Sequence, residues 1–367
     1  MIGTGRIERY VLHRTLTALR GALAVIASVV ALVDFVDISR TVGVRANVSF
    51  VQMVGLTALS APSTILALTP FVFLFGTLAA FVGLNRRSEL IAMRAAGVSA
   101  WRFIFPAAGA ALLIGVLTVT TLNPLAASMN AAYENSRNSL LENYLKTAPR
   151  PLWLRQSDGR NQIVIRALGR DHVDGSVRLK GVSLFIFSPD LGGGMTFSRR
   201  VEASEARLMS GFWQLSGVRE ASPGAGAIQS ESLSIPSSLD ERSASERFIS
   251  PEAVAFWRIS QAITDSEKAG FSATSYRLRL QQLFATPLLF ASMSVLAAAF
   301  SLRLIRLGGL ATLAGSGVAL GFIFYFFNQL CQALGKAEVI APFAAAWTPP
   351  MMALLCGFTL LCYTEDG

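Results

Sequence analysis

The stretch TILALTPFVFLFGTLAAFVGL, residues 64–84, decides the architecture. It contains no acidic or basic side chain. As a helix rising 1.5 Å per residue it would span about 30 Å, the thickness of the hydrocarbon core of a bilayer. Asn85-Arg86-Arg87 follow at once, and a basic cluster directly beside an apolar run marks a span ending at the cytoplasmic face. Outward from this stretch the chain keeps the same character. Of its 367 residues 52% are hydrophobic and only 15% charged, where ordinary soluble domains carry about 25% charged residues. Lipid is therefore a large part of the solvent.

Five further runs have the length and composition of spans: Thr15–Val36, Phe103–Leu122, Leu280–Leu302, Gly309–Leu334 and Val339–Tyr363. The apolar stretch that begins at Phe50 is too long for one perpendicular helix. Pro62 and Pro70 interrupt it, and proline removes a backbone donor and clashes with the preceding turn. A separate entry helix over residues 50–60 is expected, and Asn123-Pro124 is expected to close the third span. Between the second and third spans, Leu90, Met93 and Gly97 share one face at helical spacing. They predict a short surface helix near residues 86–98, with Gly97 as its stop.

Charges, glycines and serines become frequent from residue 130 to 273. Short apolar segments bounded by Gly, Asp or Pro read there as strands: 162–167, 177–187, 195–198, 206–208 and 212–218. Leu184-Phe-Ile-Phe187 is continuous and apolar, consistent with a strand buried on both sides. Gly192–Gly194 reads as a turn, and residues 221–247 as loop and weak strand. Residues 251–268 read as a short helix with Ser250 as N-cap and Pro251 at its first position. The organisation is thus three spans in 1–129, a β-rich insert in 130–273 and three spans in 274–367. The fold class is a polytopic α-helical membrane protein with six transmembrane helices and an inserted, jellyroll-like β domain.

Arginine bias orients it. Arg6, Arg9, Arg14, Arg20, Arg86, Arg87, Arg94, Arg102, Arg303 and Arg306 lie on one side of the spans, and Arg40, Arg45 and Lys336 on the other. The excess places both termini and the short surface helix in the cytoplasm and the β-rich insert outside. The net charge of +9 belongs to this pattern and not to nucleic-acid binding. The three cysteines, Cys331, Cys356 and Cys362, lie in the last two spans, so no disulfide framework is expected.

The motifs argue against a catalytic chain. His13 and His172 form no HExxH arrangement, and no Cys/His cluster suits a metal. No G-x-S-x-G elbow is present, and Gly335-Lys336 lacks the leading glycine and the Ser/Thr of a P-loop. No metal and no cofactor is expected on this chain.

The segment NRRSELIAMRAAGVSAWRFIFP, residues 85–106, resembles the cytoplasmic loop of the lipopolysaccharide-export permeases, the YjgP/YjgQ or LptF/LptG family. The order of three spans, a large insert and three spans is similar as well. Ile7-Glu-Arg-Tyr10, Phe35-Val-Asp37 and Phe324-Tyr-Phe-Phe-Asn-Gln329 look more like the G member of that family than the F member. The resemblance implies an inner-membrane ABC permease that pairs with an LptF-like second permease. A cytoplasmic LptB-like ATPase dimer binds and hydrolyses the ATP. Lipopolysaccharide is extracted and passed to LptC/LptA-like periplasmic β proteins.

Two sets of residues carry that implication. Arg87, Glu89, Leu90, Arg94 and Gly97 match the coupling helix, in which the glutamate at the position of Glu89 reaches an arginine of the ATPase. Basic charge at the outer ends of the spans meets the phosphates of lipid A. Here the candidates are Arg40, Arg45, Arg137, Arg277 and Arg279, over apolar walls that include Phe35 and Phe324. Asp34 departs from relatives that carry lysine there. Plainer readings stand beside these. Glu89 can be a solvated partner of Arg86, and each outer arginine a surface anchor. Asp34 and Asp37 can be capping groups, and the aromatic run 322–327 simple packing. Other functional classes also remain: a permease for a different lipid or lipoprotein, or a sensor signalling through its spans. A secondary transporter fits less well, because the charges lie near span ends and not at mid-depth.

Overall fold

The computed structural model describes residues 4–43, 48–144, 152–157, 161–173, 176–189, 195–209, 211–224, 226–237, 250–268, 272–304 and 310–365. Its helices are α1 (Thr4–Ile38), α2 (Phe50–Arg86), α3 (Glu89–Ala95), α4 (Ala100–Leu117), α5 (Asn123–Tyr144), α6 (Phe256–Lys268), α7 (Thr274–Leu304), α8 (Leu310–Lys336) and α9 (Pro342–Glu365). The strands are β1 (Leu152–Ser157), β2 (Gln162–Val173), β3 (Ser176–Pro189), β4 (Met195–Met209), β5 (Phe212–Ala221) and β6 (Ile228–Pro236). Arg45, Arg306 and the turn expected at 192–194 lie outside the described residues. The chain divides into two compact units. One comprises Met1–Arg137, Glu252–Trp257 and Thr274–Gly367; the other comprises Asn138–Pro251 and Arg258–Ala273.

Within the first unit, six helical stretches are long and apolar enough to cross a membrane: Gly5–Val42, Phe50–Arg86, Ala100–Leu140, Thr274–Leu302, Gly315–Lys336 and Pro342–Tyr363. Proline does not break them where the sequence suggested. α2 runs unbroken for 37 residues through Pro62 and Pro70. Hydroxyls near the two prolines bond to backbone: Ser63 Oγ donates to the Ser60 carbonyl at 2.8 Å and Thr69 Oγ1 to the Ile65 carbonyl at 2.8 Å. In lipid an abandoned helix leaves several backbone groups without partners, so a continuous helix with local side-chain support is lower in free energy. Ser49 and Gln52 cap the start of α2 with reciprocal side-chain-to-backbone hydrogen bonds.

Asn123-Pro124 does not close the third span either. A π-helical turn, Thr118–Leu122, carries α4 into α5. It shifts the register of backbone bonds and leaves carbonyls for other donors. Trp257 Nε1 donates to the Thr120 carbonyl at 3.2 Å, and Asn123 Oδ1 accepts the Phe256 N–H at 3.0 Å. The helix expected at 251–268 is two pieces, a 3-10 turn at Pro251–Ala253 and then α6.

α7 is the hub of this unit. Two thirds of its most apolar window is buried, against 11% for α1. Several of its interior positions are small: Ser292, Ser294, Ala297, Ala298 and Ala299 are all essentially inaccessible, beside the larger buried Phe290, Met293 and Leu296. Small residues let helix backbones approach where lipid supplies no hydrophobic drive for association. At Gly115 of α4 the approach is extreme: a Cβ there would lie 2.5 Å from Pro287 Cα of α7. Thr77 Oγ1 of α2 donates to Ser294 Oγ of α7 at 3.3 Å.

The second unit is built on one antiparallel sheet in the order β1-β2-β3-β4-β5-β6. Its buried face alternates along each strand: Ile163, Ile165 and Ala167 on β2, Leu179, Leu184 and Ile186 on β3, then Val201, Leu208, Trp213, Leu215 and Ile235. β4 is one strand where two were expected, β1 was not anticipated, and the weak strand expected within 221–247 is β6. Leu184 and Ile186 are buried, whereas Phe185 and Phe187 on the opposite face are only half-buried. The sheet curls. Edge strands of a flat six-stranded sheet would stand about 24 Å apart at the usual strand spacing. Yet Gln156 Nε2 of β1 donates to the Pro236 carbonyl of β6 at 3.2 Å. The buried Gln156 Oε1 also accepts from Trp213 Nε1 at 3.0 Å and from Ser237 Oγ at 2.8 Å.

Candidate coupling surface and lipid-contact residues

The surface helix between the second and third spans is fixed at both ends by backbone geometry. Ser88, just before it, adopts a left-handed conformation with φ 59° and ψ 12°. Beyond its end, Gly97 has φ 79°. Gly97 N–H bonds the Arg94 carbonyl at 2.9 Å, and Val98 N–H bonds the Met93 carbonyl at 3.1 Å. That paired arrangement stops a helix with a glycine in the left-handed region, as expected of Gly97. Glu89 lies in the first turn of α3 and Arg94 in the last, each favourable to the helix dipole. Leu90 anchors the element. It is 1% exposed, in a cluster with Val11, Phe81, Leu84, Ala100 and Phe103. Arg87 and Ile91 remain exposed, leaving a mixed charged and apolar outer surface.

Glu89 has a partner, though not Arg86. Tyr10 Oη donates to Glu89 Oε2 at 2.9 Å, and Arg14 Nε donates to Tyr10 Oη at 3.0 Å. The Arg14 guanidinium also sits 5.4 Å from the Tyr10 ring centroid. Nearby, Arg102 Nε donates to Glu8 Oε1 at 3.2 Å. The first turns of α1 are therefore tied to α3 and α4 by side chains. The role of Tyr10 escaped the sequence reading because the pair is 79 residues apart.

The outer-end candidates are spread over five elements. Phe35 lies near the end of α1 and meets Phe50 edge-on, with ring centroids 5.7 Å apart. Arg40 is exposed in the π-helical turn that follows α1. Arg137 is half-buried on α5, and its Nε is buried without a hydrogen-bond partner. Arg277 is exposed on the first turn of α7. Arg279, two residues further on and therefore on a different face of the helix, is half-buried and again has an unpartnered Nε. Phe324 is only 8% exposed and packs with Leu74, Phe73 and Phe290 in the helical core. The aromatic rings that α8 turns outward are Phe322, Tyr325 and Phe326. Asp34 takes part in a helix–helix bond: its Oδ2 accepts from Ser60 Oγ at 3.1 Å and Thr64 Oγ1 at 3.2 Å.

Among the described residues there is no group of three or more His, Cys, Asp or Glu placed to hold a metal ion. The family model for the lipopolysaccharide export system permease LptF/LptG matches residues 9–363. The lipopolysaccharide export system permease protein LptG of Escherichia coli K12 is 23% identical over 368 residues, covering 97% of this chain and 98% of its own. LptG of Escherichia coli O6:H1 shows the same identity and coverage. The match runs through all six apolar helices and the β-sheet unit together, and the chain accordingly belongs to the LptF/LptG family of lipopolysaccharide export permeases, as a multi-pass inner-membrane protein homologous to LptG.

Proposed function

We propose that this chain is the G-type half of an ABC transporter that extracts lipopolysaccharide from the inner membrane and passes it outward. The observation that carries the reading is the family match over residues 9–363, spans and β unit alike. Both termini and α3 lie in the cytoplasm, consistent with the arginine-rich ends of α1, α2 and α4. An LptF-like permease completes the channel. An LptB-like ATPase dimer docks on α3, where Arg87, Glu89 and Arg94 supply charge and Leu90 and Gly97 hold the shape. Residues 130–273 form the periplasmic, jellyroll-like domain, whose apolar inner face carries acyl chains toward LptC/LptA-like β proteins. The contact between Gln156 and Pro236, which brings the sheet edges together, supports a domain of that kind.

Arg40, Arg45, Arg137, Arg277 and Arg279 meet the lipid A phosphates above apolar walls from Phe35 and from α8 around Phe324. Guanidinium groups suit this task because their planar fork donates two hydrogen bonds to one phosphate.

The experiment is co-purification in mild detergent, wild type against Glu89→Ala. Wild type should retain an ATPase and a second permease. Glu89→Ala should lose ATPase occupancy by roughly tenfold, the scale of one charge-assisted hydrogen bond at a desolvated interface. Equal retention by both would remove α3 as the docking element.

A further inference from the structure

We propose that a groove between α1 and α2, at the end of the bundle next to α3, binds the phosphate of an anionic membrane phospholipid. The groove has a volume of about 210 Å³ and is lined by Arg14, Thr17 and Ala18 of α1, Ala79 and Gly83 of α2, and Arg87 just beyond α2. Ala80 and Leu84 also line it, and the alanines and Gly83 leave open space between the two helices. Two guanidinium groups share this one groove.

Both guanidinium groups keep donors for an anion, although the Arg14 charge is already attracted by the Glu89 carboxylate through Tyr10. The Arg14 Nε is engaged by Tyr10 Oη at 3.0 Å, which orients the head and leaves its two terminal nitrogens without a hydrogen bond among the described residues. The Arg87 backbone N–H bonds the Asn85 carbonyl, but its side chain forms no hydrogen bond or ion pair among the described residues. Two cations facing one concavity at the edge of a low-dielectric slab repel each other, and an anion between them reverses the sign of that interaction. A phosphodiester is the fitting anion, because a guanidinium fork matches its two free oxygens. The rest of the ligand is a lipid and not a free ion. The lining between the arginines is apolar, and α1 continues from the groove into the exposed apolar residues Leu23, Val25 and Val29, where acyl chains can lie.

The site has a consequence for α3. Arg14 is the donor to Tyr10, and Tyr10 is the donor to Glu89. A bound phosphate would hold Arg14 in place from the other side and so brace the residues that position Glu89. The binding claim itself does not depend on what the protein transports.

The test is native mass spectrometry of the full-length chain in its purified membrane complex, delipidated and then titrated with phosphatidylglycerol or phosphatidylcholine. Wild type should retain phosphatidylglycerol in preference to phosphatidylcholine. Arg14→Gln combined with Arg87→Gln should weaken retention about tenfold or more, the scale expected for loss of charge-assisted hydrogen bonds. Arg14→Lys should keep part of it by keeping the charge. Arg20→Gln, an exposed residue outside the groove, should match wild type. Added glycerophosphate should not displace the lipid. Equal retention by the double variant, or equal binding of phosphatidylcholine, would overturn the site. Displacement by glycerophosphate at matching concentration would overturn the lipid and leave a free-phosphate site. Intact assembly of Arg14→Lys separates a binding defect from a folding defect.

Discussion

α7 and α1 are both apolar helices of membrane-spanning length, and they differ in what covers them. Two thirds of the apolar window of α7 is buried inside the chain, but only 11% of that of α1; α8 resembles α1 at 22%. Hydropathy does not separate them, since α1 is as apolar as α7. The close packing of α7 at several small residues does. α7 presents Ser292, Ser294 and a run of alanines at 297–299 to its neighbours, while α1 shows Val25, Val29, Leu32 and Val33 and α8 shows Phe322, Ile323 and Phe326 to the outside. Within a bilayer, apolar surface alone gives helices no reason to associate, and close backbone packing does. The small residues of α7 therefore mark points of close helix packing, and the large residues exposed on α1 and α8 are surfaces that the described residues of this chain do not cover.

The comparison breaks most visibly at Gly115. Leucine there would drive a side chain into the Pro287 backbone of α7, which cannot move aside as a flexible side chain would. Gly115→Leu should destabilise the bundle by about 3 kcal/mol, the upper part of the usual range for overpacking. Size-exclusion profiles and thermal melting in detergent should show lost monodisperse protein.

A smaller effect is expected at Asp34, where two hydroxyl hydrogen bonds add to the packing that holds α1 to α2. Asp34→Ala should cost about 1 kcal/mol, typical of a polar contact between helices in lipid. Crosslinking yield between cysteines introduced on α1 and α2 should fall while the α4–α7 contact stays intact.

The smallest effect on stability, under about 1 kcal/mol, belongs to alanine at Val29 and Val33 or at Phe322 and Phe326, because lipid replaces the lost contacts. Transport should nonetheless fall if these faces serve the partner or the substrate. Melting and export assays on the same variants would show whether the two quantities separate.

Much of this was legible in the sequence, for reasons that differ by region. The six spans follow from uncharged runs that have no other stable solvent. The short surface helix showed itself through Leu90, Met93 and Gly97, and the observed glycine geometry is the one that spacing requires. The breaks assigned to Pro62, Pro70 and Asn123-Pro124 were rules from water, where a broken helix is solvated. In the bundle, neighbouring hydroxyls and a π-helical turn keep the chain helical. β6 showed only as weak strand within 221–247, because nearly every residue in it is exposed and no alternation of buried and exposed positions marks its bounds. Gln156 and Tyr10 were hidden because their partners lie 80 and 79 residues away.

The account stands most directly on transport itself. The complex, reconstituted in liposomes with its second permease, its ATPase and a soluble periplasmic acceptor, should move lipopolysaccharide onto the acceptor only when ATP is hydrolysed. Transfer should fall sharply when Arg40 and Arg277 are both reversed to glutamate in a complex that still assembles. Full ATP hydrolysis by the wild-type complex with no lipopolysaccharide reaching the acceptor would contradict the account.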